Sequence, residues 1–157
     1  MLRQLTSAEV EQYIQDDTVR PHLSTEFRTT QGRQVWGLFE DKYALYDDPS
    51  EKPQAIICVA YTNEAPTCER ELEWYSTASG TGAVTTNTAV FYTVWAYAAG
   101  AGRHMVNGVA EHIRNTKHCE RYVTLSPLTG MAERFHIKNG ATLQARHTDC
   151  QNFEYVL

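Results

Sequence analysis

Gly100 and Gly102 sit between an apolar run, residues 89–95, and a segment in which Met105, Val106, Val109, Ala110 and Ile113 recur at helical spacing. Strand, glycine turn and amphipathic helix in that order bring backbone N–H groups and the positive end of a helix dipole to one point, which stabilises a phosphate. The pair alone serves a tight turn equally well. A dinucleotide fingerprint needs a third glycine where Met105 stands, and a nucleotide phosphate loop needs lysine and a hydroxyl residue where Arg103 and His104 stand. Other reactive side chains are poorly spaced for chemistry. His104, His112 and His118 are separated by eight and six residues, not by the three or four that put two metal ligands on one helix face, so they read as solvated surface. Cys58, Cys68, Cys119 and Cys150 form no C-x-x-C pair and read as free thiols. The glutamates from Glu64 to Glu73 read as a solvated acidic stretch, and Trp36, Trp74 and Trp95 as packing residues.

Composition bounds what these residues can belong to. At 157 residues, 42% hydrophobic and 21% charged, the chain reads as one globular domain over residues 1–157 with a single core. A net charge of −5 argues against nucleic acid as a partner. Residues 96–140 nevertheless carry six Arg and Lys against three Glu, a basic segment suited to a small anionic ligand. No apolar run approaches the roughly 20 residues that cross a bilayer. The first ten residues carry no secretory pattern, so the expectation is a cytoplasmic protein without a membrane partner.

The elements that position the glycine turn follow from local pattern. Thr6 or Ser7 caps a short first helix. Residues 34–39 and 55–61, rich in β-branched and aromatic side chains, read as antiparallel strands joined through the turn cluster Asp47, Asp48, Pro49 and Ser50. Residues 63–87 lack sustained periodicity and read as a mobile surface connection with at most one helical turn. Residues 121–125 form another strand, Ser126 and Pro127 read as the cap and first residue of a helix, and Asn139-Gly140 closes that helix with a left-handed cap. The result is a right-handed βαβα unit, followed by a terminal hairpin from residues 141–146 and 152–157.

Tyr97-Ala98-Ala99-Gly100-Ala101-Gly102, followed one strand and one helix later by Phe135-His136-Ile137-Lys138-Asn139-Gly140-Ala141, resembles the GNAT superfamily of acyl-CoA-dependent N-acyltransferases. The family's pyrophosphate loop reads Arg/Gln-x-x-Gly-x-Gly/Ala, and its last helix often reads Phe-Tyr-x-Lys-x-Gly-Phe. The resemblance spans most of the chain and implies an α+β (α/β) fold: a mixed, mostly antiparallel sheet with helices on both faces. Tyr97 stands where Arg or Gln is usual, and His136 where the thiolate-protonating tyrosine is often found. Within residues 54–143, Val59-Ala60-Tyr61-Thr62, Thr88-Ala89-Val90-Phe91-Tyr92-Thr93-Val94, Val123-Thr124-Leu125-Ser126-Pro127 and the Phe135 block are also similar to the malonyl-CoA decarboxylase catalytic domain.

These resemblances imply acetyl-CoA or another acyl-CoA as cosubstrate and an amine on a small molecule or protein as acceptor. The backbone at Val90, Tyr92 and Val94 would hold the pantetheine. The amides of Ala99, Gly100, Ala101, Gly102 and Arg103 would hold the pyrophosphate. Arg103 or Lys138 would meet the 3′-phosphate, with Asn139 beside them. His136 would act as an imidazolium proton donor, oriented by Ser126 at the start of its helix; Glu40 or Glu64 is the candidate base, with deprotonation through water the equal alternative. Three readings stand: an acyltransferase, a compact decarboxylase lacking the helical domain of its longer relatives, and a non-catalytic CoA-fold module that binds another protein.

Overall fold

An eight-stranded sheet forms the middle layer of the computed structural model, which describes residues 1–40, 52–117 and 119–156. The elements in chain order are β1 (Leu2–Gln4), α1 (Ser7–Tyr13), α2 (Thr25–Thr29), β2 (Arg33–Leu38), β3 (Ala55–Thr62), α3 (Glu69–Gly80) and β4 (Thr88–Ala96). There follow α4 (Ala101–Thr116), β5 (Arg121–Thr124), β6 (Ser126–Pro127), α5 (Gly130–Lys138), β7 (Thr142–Arg146) and β8 (Cys150–Tyr155). The strand order is β1-β2-β3-β4-β5-β8-β6, with β7 also on β8. Among the described residues only β4 with β5 is parallel, joined by α4 as the crossover. This is the mixed, mostly antiparallel sheet that the sequence implies. The turn cluster Asp47, Asp48, Pro49 and Ser50 lies outside the described residues, as does His118.

Alternation along β3 explains the two layers around the sheet. Every β3 residue is buried, because the strand is covered on both sides. Ile56, Cys58 and Ala60 pack with Val10 of α1 and Leu72 of α3. Ile57, Val59 and Tyr61 pack with α4, whose Met105, Val106, Val109, Ala110 and Ile113 are all buried as their spacing requires. Thr6 caps α1 through a reciprocal arrangement: its side chain accepts from the Glu9 amide, and Glu9 accepts from the Thr6 amide. Gly140 follows α5 with a φ of 97°, the expected left-handed close. No helix among the described residues is long and apolar enough to cross a membrane.

Three local expectations are corrected. Residues 69–80, expected within a mobile connection, form the three-turn helix α3. Its apolar stripe is too short to show periodicity, since only Leu72 and Ser76 are buried. A buried arginine does the docking: Arg33 of β2 donates from Nε to the Ser76 hydroxyl at 2.8 Å and from Nη2 to the Thr77 hydroxyl at 2.8 Å. Trp74 on the same helix is 68% exposed, so it is no packing residue. Ser126 and Pro127 open no helix either. They form the short strand β6, paired with Gln151 and Cys150 of β8, while Thr129 caps α5 by accepting from the Ala132 amide. Proline suits an edge strand and a first helical turn equally, because both leave its missing N–H unneeded.

Leu72 is the apolar anchor of α3 and is fully buried. Leu72→Ala is expected to cost about 2–5 kcal/mol, read as a fall in the urea midpoint at unchanged slope. A loss below half a kilocalorie per mole would mean that α3 is not docked on the sheet in solution.

Candidate functional site

The site begins with an irregularity. Cys58 pairs with Thr93 and Val59 with Phe91, so Tyr92 is an extra residue in β4, a bulge that bends the strand. On its other side β4 pairs with β5 only from Thr88 to Phe91, where Phe91 meets Thr124. One further bond, from the Leu125 amide to the Phe91 carbonyl at 3.0 Å, closes the pairing. Beyond it β4 continues to Ala96, while the chain leaving β5 turns to pair with β8 as β6. The two parallel strands therefore part in a fork.

A cavity of about 470 Å³ occupies the fork. Its walls are β4 from Phe91 to Ala96, Ser126 and Pro127 of β6, and Met131, Phe135 and His136 of α5. Thr18 and Val19, from the loop between α1 and α2, complete it on the opposite face of the sheet, and Gly102 stands at the start of α4. Of the residues singled out in the sequence, Tyr92, Val94, Gly102, Ser126 and His136 thus meet around one space. Val90 does not: it is fully buried below the fork, opposite Val123. Ala99, Gly100, Ala101 and Arg103 form the turn and first helical residues beside Gly102, with Arg103 exposed. Lys138 and Asn139 lie at the end of α5 and do not line the cavity. Glu40 and Glu64 are exposed and do not line it either, and among the described residues no carboxylate does.

The glycine turn has the geometry its spacing suggests. Gly100 has a φ of 76°, the left-handed conformation that L side chains rarely adopt. A Cβ on Gly102 would stand 3.2 Å from the Phe135 ring. No side chain caps α4. Its first-turn amides and dipole thus face whatever lies at that end of the cavity.

His136 is 6% exposed, and its Nδ1 lies 2.7 Å from the Tyr155 hydroxyl. The imidazole stacks on Phe153 with centroids 5.3 Å apart and meets Phe135 edge-on. Burial among these rings pushes its pKa down to about 4. His136 is therefore neutral at pH 7, which corrects the expected imidazolium: it offers one N–H and one lone pair, and no spare proton. Ser126 does not orient it. The Ser126 hydroxyl donates to Thr124 Oγ1 at 2.8 Å, and Thr124 Oγ1 also accepts from the Phe153 amide. The partner that does hold His136, Tyr155, sits 19 positions away on β8 and carries no local pattern. Neither do Thr18 and Val19, whose place depends on a loop crossing the sheet.

No family model matches the chain, and no curated protein sequence does. Solved structures do. Acetyl-CoA-bound NAA60 of Arabidopsis thaliana superposes with a TM-score of 0.63 at 14% identity over 99% of this chain and 97% of that one. The aminoglycoside 6′-N-acetyltransferase AAC(6′)-Ih of Acinetobacter baumannii gives 0.62 at 11% identity, with 94% of each chain covered. Malonyl-CoA decarboxylase of Agrobacterium vitis gives 0.61 at 22% identity over 86% of this chain. The chain spans about a third of that decarboxylase, 35% of its length. The class is thus defined by architecture: a GNAT fold, with its forked parallel strand pair and glycine turn. Within it, the chain shares the likeness to the decarboxylase seen in its sequence blocks.

The low pKa of His136 has a pH consequence. The unfolded chain takes up this proton near the ordinary value of 6.5, and the folded protein only near 4, so the unfolded state binds more protons in between. The group's contribution is complete above pH 6.5 and is lost as pH falls toward 4, by about 3 kcal/mol in all. An NMR titration of the His136 ring should show a folded-state midpoint well below 6.5. A folded-state midpoint near 6.5 would contradict its burial.

Proposed function

We propose that the chain is an acyl-CoA-dependent acyltransferase that passes an acetyl or similar small acyl group to an amine on a small molecule or protein. The observation that supports this most is the fork, which opens a cavity of about 470 Å³ running to the uncapped N-terminus of α4. An acyl-CoA bound there would supply a thioester already activated toward attack by nitrogen.

The residues present suit such a group. Gly100 and Gly102 keep the backbone open where a pyrophosphate must approach, and the amides from Ala99 to Arg103, except that of Ala101, which donates to the Ala98 carbonyl, would meet its charge. Arg103, exposed beside them, is the cation available to the 3′-phosphate. Beyond Phe91 the edge of β4 has no partner in β5, and with the Tyr92 carbonyl taken by Arg20 the main-chain groups toward Val94 are the ones offered to the pantetheine arm and to the thioester carbonyl. Tyr155 engages His136 Nδ1, which leaves Nε2 for a ligand. In the tautomer protonated at Nε2, His136 donates a hydrogen bond to the departing sulfur without becoming charged. No carboxylate among the described lining residues takes the amine proton, so it leaves through water.

Decarboxylation of malonyl-CoA is the second reading. It is favoured by Ser126 and His136 lining one cavity, the residues that match the decarboxylase blocks. A non-catalytic CoA-binding module is the third reading.

Incubation with acetyl-CoA plus an amine panel, and separately with malonyl-CoA, separates the three when free thiol and carbon dioxide are followed. Acyltransfer releases thiol only with an amine present. Decarboxylation releases carbon dioxide with no amine, and binding without either product leaves the module. Calorimetry should show CoA binding weakened more than tenfold in Gly102→Val, whose side chain would enter the cavity against Phe135. A folded Gly100→Val, Gly102→Val double variant that bound CoA like the parent would remove the phosphate cradle. His136→Gln should lower turnover by roughly a hundredfold at retained CoA affinity.

A further inference from the structure

Where β4 and β5 part, the backbone carbonyls at the root of the fork lose the partners that a continuous ladder would supply. Two of them, Tyr92 O on one arm and Leu125 O on the other, accept from the same side chain. Arg20 donates from Nε to Tyr92 O at 2.8 Å and from Nη2 to Leu125 O at 2.7 Å. These two donors lie on one edge of a rigid planar guanidinium, so both acceptors are held at one fixed spacing. The third nitrogen, Nη1, donates to Glu69 at the start of α3, and His22 holds the same carboxylate from the other side at 2.8 Å. Arg20 is itself only 5% exposed.

The loop that carries Arg20 is pinned to the same place. Asp17 Oδ1 accepts from the amides of Val19 and Arg20 and from the Thr93 hydroxyl, the residue beside the bulge of β4. Its other oxygen pairs with Arg28 Nη1 at 2.6 Å, with both side chains wholly buried. Between Asp17 and Arg20, Thr18 and Val19 turn to the cavity. Fork width and the cavity wall on that face are thus fixed by one four-residue turn.

We propose that Arg20 is the positioning residue of this site: its guanidinium spans the two arms of the fork, sets the width of the cavity, and ties that width to the wall formed by Thr18 and Val19. The assignment rests on the acyl-CoA reading for its functional consequence, but the clamp itself is a property of the free protein. Arg20 touches no reacting atom in this account. It acts through the Tyr92 and Leu125 backbone.

Arg20→Lys is the discriminating variant. A lysine keeps the charge opposite Glu69, yet its single ammonium has no rigid edge with which to hold two carbonyls at a set distance. In the free protein, amide hydrogen exchange in residues 92–96 and 124–126 should quicken at least tenfold in Arg20→Lys, with exchange in β2 and β3 unchanged. CoA affinity, measured calorimetrically with CoA alone, should fall about tenfold. Glu69→Gln, which leaves both carbonyl bonds in place, should not quicken exchange at the fork. Unchanged exchange at the fork in Arg20→Lys, or a uniform rise over the whole sheet, would overturn the clamp. Should Arg20→Lys fail to fold, the wild-type protein still decides. Its Arg20 Nε proton should exchange slowly and shift on addition of CoA, whereas exchange as fast as in an exposed arginine would refute the assignment. A parent that binds no CoA would end the acyltransferase reading, and the exchange comparison would still test the clamp.

Discussion

Everything in this molecule that resembles a site depends on separating two strands that would otherwise stay paired. A parallel ladder satisfies its own N–H and C=O groups, and opening it inside a protein leaves them without water and without partners. Buried guanidinium groups resolve the conflict here. Arg20 takes the carbonyls of Tyr92 and Leu125, and Arg28 takes those of Leu23 and Arg20 while neutralising Asp17. Burying such charges is costly in itself, and removing one partner of a buried pair typically costs about 3–5 kcal/mol. The network is tolerated because its donors are met by orphaned carbonyls of the fork and its loop and by the carboxylates of Asp17 and Glu69.

From this constraint the rest of the arrangement follows. The bulge at Tyr92 turns β4 away, β6 leaves to join β8, and the gap between them becomes a cavity bounded by α4 and α5 on one face of the sheet and by the loop of Thr18 and Val19 on the other. Because the walls are mostly apolar, a histidine placed among them loses its charge. His136, stacked on Phe153 and held by Tyr155, is a neutral hydrogen-bonding group and not a proton store. On the proposed acyl-CoA reading, the backbone dipoles at the uncapped start of α4 and the exposed Arg103 would be the site's attraction for an anion.

Much of this was legible in the chain. The apolar face of α4, the glycine turn before it, the strands on either side and the final hairpin all follow from periods of two or of three and a half to four residues, which are local properties. The ordered blocks around Val59, Thr88, Val123 and Phe135 pointed to the GNAT fold and to the decarboxylase likeness. What failed did so for identifiable reasons. α3 docks through Arg33 onto Ser76 and Thr77, so its apolar period was too short to register. Ser126-Pro127 satisfies the chemistry of a helix start and of an edge strand alike, and only the presence of β8 decides between them.

The sequence by itself determined the first helix, the strands near residues 34–39, 55–61, 89–95 and 121–125, the helix α4, the closing hairpin, the glycine positions at 100 and 102, and which side chains carry reactive groups, because these rest on neighbours within a few residues. The tertiary structure alone decided that Arg20 reaches the carbonyl of Tyr92, 72 positions away, and that of Leu125, 105 positions away. It alone decided that His136 is neutral and that Val90 lies below the fork while Val94 lines it. Charge state, strand separation and cavity walls depend on burial and on partners brought together across the sheet. Nothing in the local order of residues encodes which of many distant groups will remove the water from a side chain.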